Sequence, residues 1–277
     1  MRYGISTTVI LPEELESGLN RIKKAGFNEV ELLWEPPHFE LGMKSIEKIL
    51  SLMNRFDLSM RVGHSPIGNI DLASLDSEKR KASIAEVARS FTFFKELGAE
   101  SVVVHPNGSG PDMFSMYPEE NRNVSVTNTK ESILELVERA VDTGIKIALE
   151  NLCHVGSARP LHSMEDLFEL IADMPREYVG LCLDTTHAKF SGHDPLQQLN
   201  VAADRLFTLH LHDTDGNGDR HWVPGKGIID WDGFIGRLEE LKFTGSRTLE
   251  VVSTHETTGS VLEESIKIAT DWEYHIG

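Results

Sequence analysis

Cysteine is scarce in these 277 residues: only Cys153 and Cys182 occur, and neither sits in a Cys-x-x-Cys pair. That excludes a disulfide framework and a cysteine-type zinc site, and leaves both thiols as small packing residues. Long apolar runs are missing as well. Nothing approaches the roughly 18 consecutive apolar residues of a membrane span, and the opening MRYGISTTVILPEELESG holds no run of signal-peptide length, so a cytoplasmic protein without a membrane partner is expected. Basic residues are outnumbered, 27 Lys+Arg against 44 Asp+Glu, for a formal charge of -17. A field of that sign repels phosphate backbones and anionic lipid, which disfavours nucleic acid as a partner unless a local basic patch overrides it. A Gly-rich phosphate fingerprint is also lacking after the first apolar run, which ends in STTVILPEE. No nucleotide cofactor is expected.

What is present is alternation. Short apolar, β-branched runs occur at 2–9 (RYGISTTV), 29–35 (EVELLWE), 59–65 (SMRVGHS), 101–106 (SVVVHP), 146–151 (KIALEN), 179–187 (VGLCLDTTH), 206–213 (LFTLHLHD) and 247–252 (RTLEVV). Between them lie amphipathic helical patterns. PEELESGLNRIKKAG has Pro12 in its first turn and Gly26 at its stop, TKESILELVERAVDTG closes on Gly144, and SEKRKASIAEVARSFTFFKELG and SVLEESIKIATDW repeat the scheme. Repeated βα steps with no linker or composition break predict an α/β fold: a single (β/α)8 TIM barrel spanning residues 1–277.

Active sites of such barrels gather at the carboxyl ends of the strands, so the polar residues there carry the functional reading. His64, His105, Glu150, Asp184, His187, His210, His212 and Glu250 all fall at or near predicted strand ends. Taken singly, His64 or His105 reads first as a hydrogen-bonded structural residue. Glu150 differs, because IALEN drives a carboxylate into a strand end made of Ile, Ala and Leu. Burying it unpaired costs several kcal/mol, and the same holds for Asp184 and Glu250. Three carboxylates converging on one rim raise one another's pKa unless a cation holds them, so a metal site at the C-terminal end of the strands is expected. His210 and His212 share one strand face, with Leu209 and Leu211 on the other, so one can ligate while its neighbour lines the pocket. Asp219 and His221, in GDRHWVPGKG, are weaker candidates, since a polar loop produces the same spacing. His38, His154, His162, His193, His255 and His275 read as solvated.

The segments IALEN, CLDTTH, HLHDTDG, DRHWVPGKGIIDW and LEVV, in this order, resemble the xylose isomerase-like TIM-barrel superfamily. That superfamily holds sugar and sugar-phosphate isomerases and epimerases together with abasic-site nucleases of the endonuclease IV type. In its isomerase branch the resemblance implies one divalent cation, held here by Glu150, Asp184, His210 and Glu250. Two oxygens of an α-hydroxy-carbonyl sugar would chelate it, with Glu150 and Glu250 as catalytic groups exchanging protons at carbon through an enediolate. Three carboxylates and one imidazole suit Mn2+, Zn2+, Co2+ or Mg2+. His187, by its place in DTTH, would hydrogen-bond a substrate oxygen, and His212 and His221 are further substrate-binding candidates.

The endonuclease branch is the rival, with a three-zinc cluster whose extra ligand positions are filled here by His64, His105, His187, Asp219 and His221. Metal number therefore stays open. Against a duplex, the loops EPPHFELG, SPIGNIDLAS and NGSGPDMFSMYPEENRNVSV carry one arginine, Arg122, among several acids. Trp34, Met113, Phe114, Met116 and Tyr117 could instead roof a pocket for a small sugar, or simply anchor their loops. Relatives commonly carry an acid between two glycines where this chain has Lys226 between Gly225 and Gly227. Lys226 either favours a phosphorylated or carboxylated substrate or is a solvated lysine. The expected partner is a small-molecule sugar or sugar phosphate; subunit number stays open, with a homodimer as one option.

Overall fold

The computed structural model describes residues 2–34, 43–108, 117, 119–154 and 159–274. Eight parallel strands pair in sequence order and close on themselves, β1 (Tyr3–Ser6) bonding both to β2 (Val30–Leu33) and to β8 (Ser246–Leu249). The others are β3 (Val62–His64), β4 (Ser101–Val104), β5 (Lys146–Glu150), β6 (Val179–Asp184) and β7 (Leu206–Leu211). Helices fill the connections: α1 (Leu15–Ala25), α2 (Met43–Phe56), α3 (Ser77–Glu96), α4 (Arg122–Thr143), α5 (Met164–Leu170), α6 (Thr185–Phe190), α7 (Pro195–Ala202), α8 (Trp231–Glu240) and α9 (Thr258–Tyr274). This is the TIM barrel that the alternation predicts. Among the described residues no helix is long and apolar enough to cross a membrane.

Two apolar layers follow from the two faces of each strand. Val102, Val104, Ile147, Leu149, Leu181, Leu183, Leu209, Leu211 and Leu249 face outward and join the helix-side core. Val62, Val103, Ala148 and Cys182 form a separate cluster inside the barrel. Cys182 is thus the packing residue expected, and burial pushes its thiol well up. Gly63 shows how tightly the outer layer is packed, because a Cβ there would overlap the Phe94 ring. Small residues in the lumen leave its upper end to polar side chains.

Several boundaries differ from the pattern reading. The sixth strand ends at Asp184 rather than His187, because the Asp184 carboxylate accepts the His187 N–H at 2.7 Å and turns the chain helical at Thr185. His187 therefore sits in the first turn of α6. The third strand starts at Val62, with only an isolated bridge at Ser59. Pro12 precedes α1, which begins at Leu15, whereas Gly26 (φ 115°) and Gly144 (φ 66°) stop their helices in left-handed geometry as expected.

Candidate active site

Strand ends bring the acids and imidazoles together. His64 and Glu150 are the last residues of β3 and β5, Asp184 closes β6, His210 is the penultimate residue of β7, and Glu250 follows β8. All are buried. At the centre, His210 Nδ1 lies 3.2 Å from Glu250 Oε2, 3.3 Å from Glu150 Oε1 and 3.8 Å from Asp184 Oδ2. His105 Nε2 and His64 Nε2 approach Glu150 Oε2 at 3.1 and 3.4 Å, yet that oxygen makes no hydrogen bond. His212 Nε2 binds Asp184 Oδ2 at 2.6 Å, leaving its buried Nδ1 without a partner.

So many buried acids require positive charge nearby. Burial works against the Glu150 carboxylate, but His210 and His105 outweigh it and hold its pKa well below the usual range. Glu250 is likewise held down against its burial, by His210 and His221. Burial disfavours the His210 and His187 imidazoliums, yet both are raised well above the ordinary histidine value, His210 by Cys182 and the Glu250, Glu31 and Glu150 carboxylates, and His187 by Asp184 and Cys153 with Asp219. His105 goes the other way, because its burial dominates. Protons on these rings and a cation are alternative ways to neutralise one acid cluster. The donors fit a cation: one ligand atom each from Glu150, Asp184, His210 and Glu250 lie within 4.8 Å of one another. The unbonded Glu150 oxygen is the kind of buried acceptor that an ion satisfies.

Two motifs hold this arrangement. In DTTH, Thr185 Oγ1 donates to His212 O at 2.8 Å and Thr186 Oγ1 donates to the same carbonyl at 3.0 Å, tying α6 to the end of β7. In the loop after β7, Asp213 accepts from Gly225 N at 2.8 Å, Ile229 N at 3.3 Å and Trp231 Nε1 at 2.9 Å, and pairs backbone to backbone with Trp222. Gly227 packs so closely on Thr214 O and Asp213 that no Cβ fits. The result delivers Asp219 Oδ2 to His221 Nε2 at 3.1 Å and to His187 Nε2 at 3.2 Å, while the His221 ring stacks on His212 at 4.1 Å. Burial opposes charge on His221, but Asp219 raises its pKa to about 9. His221 sits at φ 49°, left-handed backbone that a non-glycine residue adopts only when its surroundings enforce it.

The weaker loop pair Asp219/His221 therefore joins the cluster, as do His64, His105, His187 and His212. Cys153 does too, since its sulfur groups with His187 and Asp219. Trp34 and Lys226 lie beside the cluster rather than in it: the Trp34 backbone N–H donates to His64 O at 3.1 Å, and Lys226 lines a surface cavity that His221 also lines. Trp34 is buried edge-on against Phe93 and Phe94, and Lys226 Nζ pairs with Glu264 at 3.2 Å on the surface. Tyr117 is buried and donates to Asp71 at 2.6 Å, which makes it a loop anchor. Met113, Phe114 and Met116 lie outside the described residues, as do His38 and His275. His255 is exposed as expected, but His154, His162 and His193 are not freely solvated: their half-buried rings stack in a ladder, His154 on His162 at 4.3 Å and His162 on His193 at 5.3 Å. Sequence reasoning passed over three residues. Glu31 bonds His210, Asn151 exchanges hydrogen bonds with the Asp184 backbone, and Asp213 organises the loop. Glu31 carried one overlooked signal, a carboxylate set between Val30 and Leu32 in the run EVELLWE, which also holds Glu29 and Glu35.

A closed parallel barrel that gathers buried carboxylates and imidazoles at the carboxyl ends of its strands defines a TIM-barrel protein with its acid and imidazole cluster where such barrels carry their chemistry. The chain matches the model of the xylose isomerase-like TIM barrel over residues 19–272 and belongs to that family. It is 29% identical to protein MJ1311 of Methanocaldococcus jannaschii over 278 residues, 98% of this chain and 91% of that one. It is 21% identical to fructoselysine 3-epimerase of Shigella flexneri over 261 residues, 92% of this chain and 91% of that enzyme. A probable endonuclease 4 of Thermoplasma acidophilum is 29% identical over 174 residues, 58% of this chain and 56% of its own length. Among solved structures, a D-tagatose 3-epimerase-like protein superposes with a TM-score of 0.85 at 25% identity, covering 100% of this chain and 98% of its own. The IOLI protein, solved with a zinc atom, gives a TM-score of 0.76 at 21% identity, covering 100% and 98%. Homologues and structural neighbours thus include sugar isomerases and epimerases.

Proposed function

We propose that residues 1–277 form one domain that acts as a divalent-metal-dependent sugar or sugar-phosphate isomerase or epimerase. The observation that carries this reading is the convergence of Glu150, Asp184 and Glu250 on His210 Nδ1, with a Glu150 oxygen left unbonded. Those four residues would hold the cation, which as a Lewis acid polarises the substrate carbonyl and stabilises negative charge developing on its oxygen. Mn2+, Co2+, Zn2+ and Mg2+ all suit the donor set. Glu150 and Glu250 flank the same nitrogen, so each can take or return a proton at a carbon placed between them. His187, His212 and His221 line the adjoining wall, where their ring nitrogens hydrogen-bond sugar hydroxyls. The test is exchange of substrate C–H for deuterium from solvent across a panel of ketoses and their phosphates, with Mn2+ added. No exchange on any of them, together with turnover of abasic DNA, would sink the proposal.

The second reading, an abasic-site endonuclease, is favoured by one observation: the extra ligand positions also converge, His64 and His105 on Glu150 and His187 and His221 on Asp219. Charge argues against it. Arg122 faces Asp166 at 3.7 Å, Arg220 pairs with Asp215 at 3.2 Å, and Arg159 is buried with Asn107 and the Cys153 carbonyl.

A further inference from the structure

We propose that Glu31 is a positioning residue that fixes the His210 ring and its tautomer so that Nδ1 is free to bind the cation. The inference rests on the metal-site reading above. Glu31 lies on β2, buried to 1% exposure, and its side chain crosses the lumen to a histidine that is not on a neighbouring strand. Its Oε1 meets His210 Nε2 at 3.0 Å, and its Oε2 accepts from Thr248 Oγ1 at 3.0 Å.

These contacts give Nε2 a fixed acceptor. Carboxylates face both nitrogens, Glu31 at Nε2 and Glu150 at Nδ1, and a neutral imidazole carries one N–H, so with a cation on Nδ1 that N–H belongs on Nε2 facing Glu31. The Nδ1 lone pair then points among Glu150, Glu250 and Asp184, where the other ligand atoms gather. A carboxylate on the far nitrogen of a ligating histidine fixes ring orientation and raises its basicity. Thr248 stands two residues before Glu250 on the same chain segment, so its bond to Glu31 ties the orienting carboxylate to the ligand shell. Glu31 is not itself a ligand candidate, because it contacts the nitrogen on the opposite side of the ring. Glu29, two residues earlier, bonds Ser246 at 2.8 Å and does not reach the histidine.

The experiment is calorimetric titration of Mn2+ into chelator-stripped wild type, Glu31→Ala, Glu31→Gln and Thr248→Val, with thermal unfolding of each stripped protein alongside. Glu31→Ala should weaken Mn2+ binding by roughly 10- to 100-fold. Glu31→Gln, whose amide oxygen still accepts the Nε2 proton, should lose less, and Thr248→Val least. A merely structural Glu31 would lower the unfolding midpoint and leave the affinity of the folded protein unchanged. In the Zn2+-loaded protein, the hydrogen-bonded Nε2 proton should give a downfield proton resonance that Glu31→Ala removes. If Glu31→Ala does not fold, Glu31→Asp, which withdraws the same charge by one methylene, should bind Mn2+ more weakly than wild type. Equal affinities across folded variants overturn the positioning role. A wild type that binds neither Mn2+ nor Zn2+ overturns the metal reading, and the inference falls with it.

Discussion

Glu150 touches more of the site than any other acid described here: His64, His105, His187 and His210 all lie within 3.4 Å of one of its oxygens. It is both a cation ligand and a proton carrier in the proposed reaction. Glu150→Gln keeps the shape and removes the charge, so substrate C–H exchange should drop by at least about 10²-fold. Deuterium exchange followed by proton NMR checks this, with circular dichroism to show that the variant folds. His221 supplies a prediction about pH. Its pKa in the folded chain is raised to about 9 from an ordinary 6.5, chiefly by Asp219 working against burial. Folding therefore favours its proton: the stabilisation is fully present below about pH 6.5 and is lost as pH rises through about 9. Thermal midpoints of the chelator-stripped protein should fall across that window. His221→Gln should flatten this part of the profile, and an unchanged slope would assign it to other groups.

At the scale of elements, the loop after β7 behaves as a folded unit hung on Asp213. Replacing Asp213 by Ala leaves Gly225 N, Ile229 N and Trp231 Nε1 without their acceptor. Gly225 is exposed and can turn to water, but the Ile229 and Trp231 donors are buried and each costs about 1 to 3 kcal/mol unpaired, so a loss on the order of 3 kcal/mol in urea unfolding is expected, with proteolytic nicking moving to residues 214–228. Asp219 and His221 should lose their register with His187 at the same time. This loop also marks where sequence reading reached its limit. Strand alternation was legible, because period-two patterning is a local property, and it placed Glu150, Asp184, His210 and Glu250 at strand ends. The DxH spacing of Asp219 and His221 was ambiguous because its meaning depends on Asp213 and on a left-handed backbone at His221. The role of Glu31 was hidden for a similar reason: its partner lies 179 residues away across the lumen. Burial of His162 beside His154 and His193 is also a matter of packing between segments, which composition does not encode.

The whole molecule carries a formal charge of -17, yet its most concentrated acids are buried in the barrel mouth beside six imidazoles. At the proposed metal site protons and a cation would compete for that cluster, and the competition would govern stability. A cation held by the proposed site would bind the native rim but not the unfolded chain, so Mn2+ at 100 times its dissociation constant should raise the unfolding free energy by about 2.7 kcal/mol. The increment should grow with pH. Despite their burial, His210 and His187 hold protons well above the ordinary histidine range, and each proton must leave before its nitrogen ligates or accepts freely. Below about pH 6.5 the imidazoliums neutralise the acids unaided and Mn2+ adds little; as pH rises their contribution fades and the cation takes it over. Differential scanning fluorimetry with and without Mn2+, from about pH 6 to pH 9, should thus show two curves that diverge upward, the stripped protein falling while the loaded one holds level. Curves that stay parallel would place Mn2+ somewhere other than among these histidines.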